Sequence, residues 1–292
     1  MSSSPTLPVT VVVPTVGRAT SLERCLASLA ACVPRAAEVL AVDQSGEPDV
    51  ERVVRTFVDA GARLVPSDGR GVSLARNDGL RAASHEIVLV TDDDCTVPID
   101  WIATAHRLAT RYPGSIVTGR VLPVGDSRAV PSTIDDPVAH DLSAERRGGL
   151  IFGNNMVLTR TGVLELGAFD ERFGPEEAAE DNEFCYRWLK AGRGLRYEPS
   201  LVVEHHDWRS PEDLERLYVR YARGEGFFYA KHLRRGDLRM LLFLARAAVH
   251  SLRSLVSAVV KGREAWTDSR RGVLRGLPGG FVHGWHVFGR RR

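Results

Sequence analysis

The sequence predicts an α/β fold, a mostly parallel sheet flanked by helices, with a helical extension at the C-terminal end. Three observations predict it. Short β-branched or apolar runs alternate with helical stretches through the first 121 residues. Polar and acidic residues fall repeatedly just past the ends of those runs. After residue 210 the strand signals stop, and basic residues are interleaved with apolar ones. Alternation of this kind needs crossover connections, which build parallel sheets covered by helices on both faces. A main α/β domain over residues 1–210 and a basic helical extension over 211–292 follow from this reading.

Taken in order, residues 9–13 (Val-Thr-Val-Val-Val) read as a buried strand ending at Pro14. Thr20-Ser21-Leu22-Glu23 has the form of a capping box, and Leu22, Leu26 and Leu29 follow at helical spacing. Residues 38–42 read as a second strand ending at Asp43, 49–60 as helix and 62–65 as strand. Residues 73–83 read as a helix capped by Ser73, and 86–91 as a strand running into Asp92-Asp93-Asp94. Helix is expected over 101–112 and strand over 115–121. Residues 122–147, rich in Pro, Asp and Ser, read as a loop or insertion. Structure is expected to resume at 149–158, with a helix over 178–190 stopped by Gly192 and extended chain at 196–197 and 201–204.

Composition bounds the class. Hydrophobic residues at 43% and charged residues at 26% suit a folded globular chain and exclude a largely disordered one. Cys25, Cys32, Cys95 and Cys185 lack paired metal-site spacing and read as reduced, partly buried thiols of a cytoplasmic protein. Residues 1–8 have neither the basic start nor the apolar core of a signal peptide. The net charge of +2 is unevenly spread: residues 211–292 hold 17 Lys and Arg against 7 Asp and Glu, and the first 210 hold 22 against 30.

In doubly wound sheets, ligands bind beyond the carboxyl ends of the strands. Pro14-Thr15, Asp43 and Asp92-Asp93-Asp94 all sit at such ends. Three adjacent aspartates repel one another, and a divalent cation removes that cost, Mg²⁺ and Mn²⁺ suiting hard oxygen ligands. The plainer reading is an exposed acidic turn. Gly71-Val72-Ser73-Leu74-Ala75-Arg76-Asn77 leads into a helix whose amino end would offer amide donors to phosphate, with Arg76 adding a fixed charge. The plain alternative there is a glycine turn with a surface arginine. Glu180-Asp181 opens a later helix and could supply a general base, or simply favour the helix dipole. His205-His206 closes an extended run. Adjacent strand residues point to opposite faces, so only one of the two can face a site.

Together these pieces resemble the family 2 glycosyltransferases of the GT-A fold, over roughly residues 9–210. Val11-Val12-Val13-Pro14-Thr15 is similar to the family's opening strand, and Asp43 to its nucleobase-contacting aspartate. Gly71 to Asn77 is similar to its G-x-x-x-A-R-N segment, and Asp92-Asp93-Asp94 to its D-x-D metal motif. Gly153-Asn154-Asn155-Met156 and Gly167-Ala168-Phe169-Asp170-Glu171 resemble its acceptor-side loop and following turn. Glu180-Asp181 resembles its E-D pair, and His205 its late metal-linked histidine. The stretch Asp43-Gln44-Ser45-Gly46 departs from the family pattern.

The resemblance implies a nucleotide-sugar half over about 9–121 and an acceptor half over about 149–210. It implies inverting transfer of a sugar from a nucleotide-diphosphate donor, UDP being commonest, with Asp181 as base beside Glu180. Asp94, with Asp92 and His205, would hold Mn²⁺ or Mg²⁺. Asp92 would also lie toward the ribose, with Asp93 as the rival ligand. Pro14, Thr15, Asp43, Gly71, Arg76 and Asn77 would line the nucleotide. The acceptor is unassigned, a lipid-linked or natural-product hydroxyl being compatible. The family's processive synthases carry spanning helices and a Q-x-x-R-W motif. Arg187-Trp188 lacks the glutamine, so single-sugar transfer is expected.

Residues 240–260 are apolar but interrupted by Arg246, His250 and Arg253, which makes them a poor spanning helix. They read as an amphipathic helix that packs on the protein or a second subunit, or lies on the inner face of a membrane. Three rival readings fit these residues less well. A dinucleotide oxidoreductase needs G-x-G-x-x-G after the first strand, where this chain has Pro14-Thr15-Val16-Gly17-Arg18-Ala19. A nucleotidyltransferase acting on sugar phosphates needs a Gly-rich basic loop there, and only Gly17-Arg18 is present. A non-enzymatic binding protein using the basic tail is disfavoured, as is nucleic-acid binding, because the tail's charges are spaced among apolar residues.

Overall fold

The structure, a computed structural model, describes residues 5–125, 130–143, 153–206, 210–261 and 268–289. It divides into two compact units. The first comprises Met1–Glu171 and Phe184–Trp208; the second comprises Arg172–Glu183 and Arg209–Arg292. Residues 172–183, read from sequence as part of the main domain, thus cluster with the C-terminal helices.

The first unit is built on one mixed sheet. Its strands are β1 (Thr6–Thr15), β2 (Arg35–Asp43), β3 (Ala62–Pro66), β4 (Ile87–Val90), β5 (Cys95–Thr96), β6 (Ile116–Val124), β7 (His140–Asp141), β8 (Met156–Thr159) and β9 (Leu195–His206). The order is β3-β2-β1-β4-β8-β6-β9-β5, with β7 also on β9. β3, β2, β1 and β4 run parallel, as do β6 and β9. β8 is antiparallel to both β4 and β6, so the strand direction reverses there, near the middle of the sheet.

The helices of this unit are α1 (Ala19–Ala30), α2 (Pro48–Thr56), α3 (Val72–Ala82), α4 (Trp101–Arg111) and α5 (Arg160–Glu165). Helix α6 (Glu180–Lys190) starts in the second unit and ends in the first. The β-branched run of β1 is buried on both faces. Val9, Val11 and Val13 face a core with Leu22, Leu26, Val50, Trp101 and Ile102, while Val12 faces one with Leu80, Phe184 and Trp188. Helix α3 lies close on the sheet because Gly79 has no side chain. A Cβ there would come 2.4 Å from Val12 Cγ1.

Two capping expectations are corrected. Helix α1 begins at Ala19 behind Arg18 with no side-chain cap, so Thr20 and Ser21 lie inside its first turn. Helix α3 is capped by Gly71 at φ 122°, and Ser73 is buried within the helix. A capping box does form between Ser210 and Asp213, ahead of the helix that begins at Pro211.

The second unit comprises residues 172–183, α7 (Pro211–Arg234), α8 (Arg239–Lys261) and α9 (Asp268–Val287). Helices α7 and α9 approach through glycine. A Cβ on Gly276, Gly280 or Gly284 would meet the backbone of α7 at 2.3, 1.9 and 2.8 Å. The four-residue spacing of these glycines puts them on one face, where small residues let helix backbones touch. Within this unit Phe173 packs edge-on against Phe227, with centroids 5.0 Å apart. The carboxylate of Glu183 is fully buried between Lys231 Nζ (2.5 Å) and His232 Nε2 (3.0 Å).

Candidate active site

The carboxyl ends of β1 and β4 converge. Thr15, the last residue of β1, donates its hydroxyl to Asp93 at 2.6 Å. Arg18, at the start of α1, donates Nε to Asp93 at 3.0 Å and Nη1 to Asp94 at 3.3 Å. Asp93 and Asp94 are buried. Burial pushes the Asp93 carboxyl up, Arg18 opposes it, and Asp94 adds to it, leaving Asp93 at about 7. Buried, mutually repelling carboxylates mark a site that gains from a further positive charge.

The strand β9 completes this corner. Cys95 pairs with His205 across the β5–β9 ladder, and His205 Nε2 lies 3.4 Å from Asp94 Oδ1. The Asp94 carboxylate, the Cys95 sulfur and the His205 imidazole offer ligand atoms within 4.8 Å of one another, all buried. His205 Nδ1 is buried with no hydrogen-bond partner among the described residues. His206 points the other way and meets Thr96 Oγ1 at 2.8 Å. The aspartate carboxylates suit a hard cation such as Mn²⁺ or Mg²⁺, the imidazole is a softer donor, and burial pushes the Cys95 thiol well up, away from the thiolate that binds metals.

Arg76 projects from α3 to the third aspartate. Its Nη2 lies 3.3 Å from Asp92 Oδ1, and its guanidinium sits 5.7 Å over the Phe169 ring. The guanidinium is buried, and a Cβ on Gly153 would fall 2.3 Å from it, so Gly153 leaves the room it occupies. Asn77, one residue on, is committed elsewhere: its amide holds the Phe169 carbonyl at 2.9 Å, the Phe169 N–H at 3.0 Å and Glu171 at 2.8 Å. It shapes the turn after α5.

At the end of β2, Asp43 accepts from Ser45 N–H, Ser45 Oγ and Gly46 N–H at 2.9, 2.6 and 2.9 Å, so its carboxylate folds its own turn. Gln44 clamps Gly71 twice, donating to its carbonyl at 3.1 Å and accepting from its N–H at 3.1 Å. The departure from the family pattern at Gln44 therefore fixes the loop ahead of α3. Pro14 pairs with Val42 one step before the site.

A family model described as glycosyl transferase family 2 matches residues 10–161. The chain belongs to that family. Its fold is the GT-A fold that the resemblance implied, as the solved structures bear out. A mannosyltransferase from Pyrobaculum calidifontis in complex with GDP-Man and Mn²⁺ aligns with a TM-score of 0.65 at 19% identity, over 97% of this chain and 88% of that one. Residues 1–349 of TarS from S. aureus in complex with UDP align at 0.60 and 17%, over 97% and 90%. Among curated relatives, a pre-mycofactocin glycosyltransferase from Mycobacterium tuberculosis is 28% identical over 212 residues, 68% of this chain. The chain spans 42% of that relative's length.

The acidic pair of the family 2 reading lies in the second unit. Glu180 is buried and Asp181 half-buried in the first turn of α6, where Asp181 Oδ1 accepts from Asn182 N–H at 2.7 Å. Three participants were not singled out from sequence. Arg18 follows a strand end, and its partners Asp93 and Asp94 are 75 and 76 positions away. Cys95 adjoins the three aspartates, a signal that was available. Gln44 showed only as a departure. Residues 144–152, which include part of the expected restart at 149, lie outside the described residues.

Proposed function

We propose that this chain transfers a single sugar from a nucleoside-diphosphate sugar to an acceptor hydroxyl, with inversion. The observation that carries it is the cluster of Asp92, Asp93 and Asp94 with Thr15, Arg18, Arg76 and His205 at the carboxyl ends of β1, β4 and β9. That the mannosyltransferase is in complex with GDP-Man and Mn²⁺, and TarS with UDP, supports a nucleoside-diphosphate donor and a divalent cation.

Asp94 and His205, with Asp92, would hold Mn²⁺ or Mg²⁺, and Cys95 stands beside them. Such a cation, when bound, offsets charge on the leaving diphosphate. Arg76 would hold the same oxygens by a fixed guanidinium charge. Pro14, Thr15, Asp43 and Gly71 would line the nucleoside, with Asn77 fixing the turn behind them. Asp181 would take the acceptor hydroxyl's proton, Glu180 beside it. One displacement with one base inverts the anomeric centre without a covalent intermediate. The four cysteines, buried free thiols, favour a reducing, cytoplasmic setting. UDP is the expected nucleotide, and a lipid-linked or natural-product hydroxyl is the expected acceptor.

Calorimetric titration with UDP, GDP and dTDP, each with and without Mn²⁺, tests the reading. Metal-dependent binding of one nucleotide is expected, weakened at least tenfold in Asp94→Ala, the loss of one ligand or second partner typically costing about 10- to 100-fold. A folded wild type that binds none of the three would overturn the assignment.

A further inference from the structure

Among the described residues, no helix is long and apolar enough to cross a membrane. Helix α8 nevertheless shows apolar residues on two sides. One side is used: Met240 and Phe243 are buried, Leu244 and Ala247 are partly so, and Phe243 stacks on Tyr229 of α7 at 6.2 Å. These positions recur at i, i+3, i+4 and i+7, one helix face. The other side faces outward. Leu238, just before the helix, is 69% exposed; Leu241 and Leu242 are 51% exposed and Val249 49%. With Ala245, also exposed, they recur at i, i+3, i+4, i+7 and i+11. Single exposed leucines are ordinary, but a continuous stripe of them on a helix calls for an occupant.

The charge beside the stripe says which occupant. Arg239, Arg246 and Arg253 stand seven residues apart, all exposed, and so form a row along one flank of the apolar stripe. No acidic residue falls between Asp237 and Glu264. A second copy of this helix would therefore bring nothing to receive the arginines. A bilayer with anionic headgroups supplies both partners at once: acyl chains for the leucines and phosphates for the guanidinium groups.

We propose that the outward face of α8 docks the protein on the surface of an anionic phospholipid bilayer, with the helix lying in the interface. This proposal does not depend on the donor site. A lipid-anchored acceptor hydroxyl would then be met at a surface where the protein already rests.

Co-sedimentation of the full chain with vesicles tests it. One vesicle is a zwitterionic phospholipid alone, and the other adds an anionic phospholipid. The protein is expected to sediment with the anionic vesicles and to be released at high salt. In Arg246→Gln/Arg253→Gln the partition should fall roughly 25-fold, each cation near an anionic surface being worth about fivefold. In Leu241→Ser/Leu242→Ser binding should be lost at all salt concentrations, with the circular dichroism spectrum and nucleotide affinity unchanged. Retained nucleotide affinity separates failure here from failure of the transferase reading. Equal binding by the wild type and both variants, or no binding to anionic vesicles, overturns the proposal. So does a wild type that dimerises without lipid and is made monomeric by Leu241→Ser/Leu242→Ser, because the stripe then belongs to a second copy.

Discussion

Glu38, near the start of β2, accepts from Thr10 Oγ1 at 2.7 Å, Ser84 N–H at 2.8 Å, Ser84 Oγ at 3.0 Å and Arg63 Nε and Nη2 at 3.1 and 3.0 Å. Burial alone would raise its pKa, but these donors outweigh burial and hold it below the ordinary 4.5. A carboxylate with a depressed folded pKa contributes stability that is present above 4.5 and lost as pH falls through the folded value. Glu38→Gln should cost about 1–3 kcal/mol at neutral pH and flatten the acid limb of thermal stability against pH. An unchanged acid limb would place the acid-sensitive group elsewhere. Asp181→Asn makes the second prediction at this scale. It keeps the side chain's size and the acceptor for Asn182 N–H, and removes the proposed base, so turnover should fall by about 10²- to 10⁴-fold while nucleotide affinity holds. Near-normal turnover would remove the base assignment. Residues of this kind were unevenly legible. Asp92, Asp93 and Asp94 declare themselves by adjacency, because three neighbouring carboxylates need a reason. Arg18 and Gln44 do not, because their meaning lies in partners distant in sequence.

At the scale of elements, continuous β-branched or apolar runs and the period-3.6 pattern placed the central strands and helices within a few residues, since burial on both faces leaves little choice of residue type in β1, β2 and β4. The ends were less legible. Thr20-Ser21-Leu22-Glu23 has the letters of a capping box, yet the chain is already helical from Ala19. Local hydrogen bonding there loses to Leu22 and Leu26, which must reach the core. The two-residue strands β5 and β7 have no pattern to read, because pairing with β9 alone defines them. Gly276, Gly280 and Gly284 lower the intrinsic helix propensity of α9, and only their close approach to the α7 backbone gives them a role. The same logic gives a measurable prediction at α3. Gly79→Ala would raise intrinsic helix propensity by about 1 kcal/mol. Its Cβ would also strike Val12 Cγ1, and overpacking of this kind costs about 1–3 kcal/mol. Net loss of stability in chemical denaturation is therefore expected. A gain would show that α3 can lift off the sheet without cost.

The whole molecule is divided where the sequence does not change character. Residues 172–183 carry the acidic pair, but their partners come from the C-terminal helices. Phe173 meets Phe227, Glu177 meets Arg223 at 3.1 Å and His283 at 3.0 Å, and Glu183 is enclosed by Lys231 and His232. The segment could not be assigned to its unit from sequence, because every one of these contacts spans at least 46 positions. Unpaired, Glu183 would be a buried carboxylate without its cations, and removing one partner of such a group typically costs 3–5 kcal/mol. The C-terminal helices are thus the support of the segment that bears Asp181, whatever they also meet outside the molecule. Deleting residues 209–292 should abolish turnover and make the chain around residues 172–183 sensitive to protease. Metal-dependent nucleotide binding, which the proposal assigns to residues of the first unit, should survive. Limited proteolysis, calorimetry and a transfer assay on the truncated and full chains decide it. Full turnover by the truncated chain would mean that residues 172–183 hold their conformation without α7 and α9.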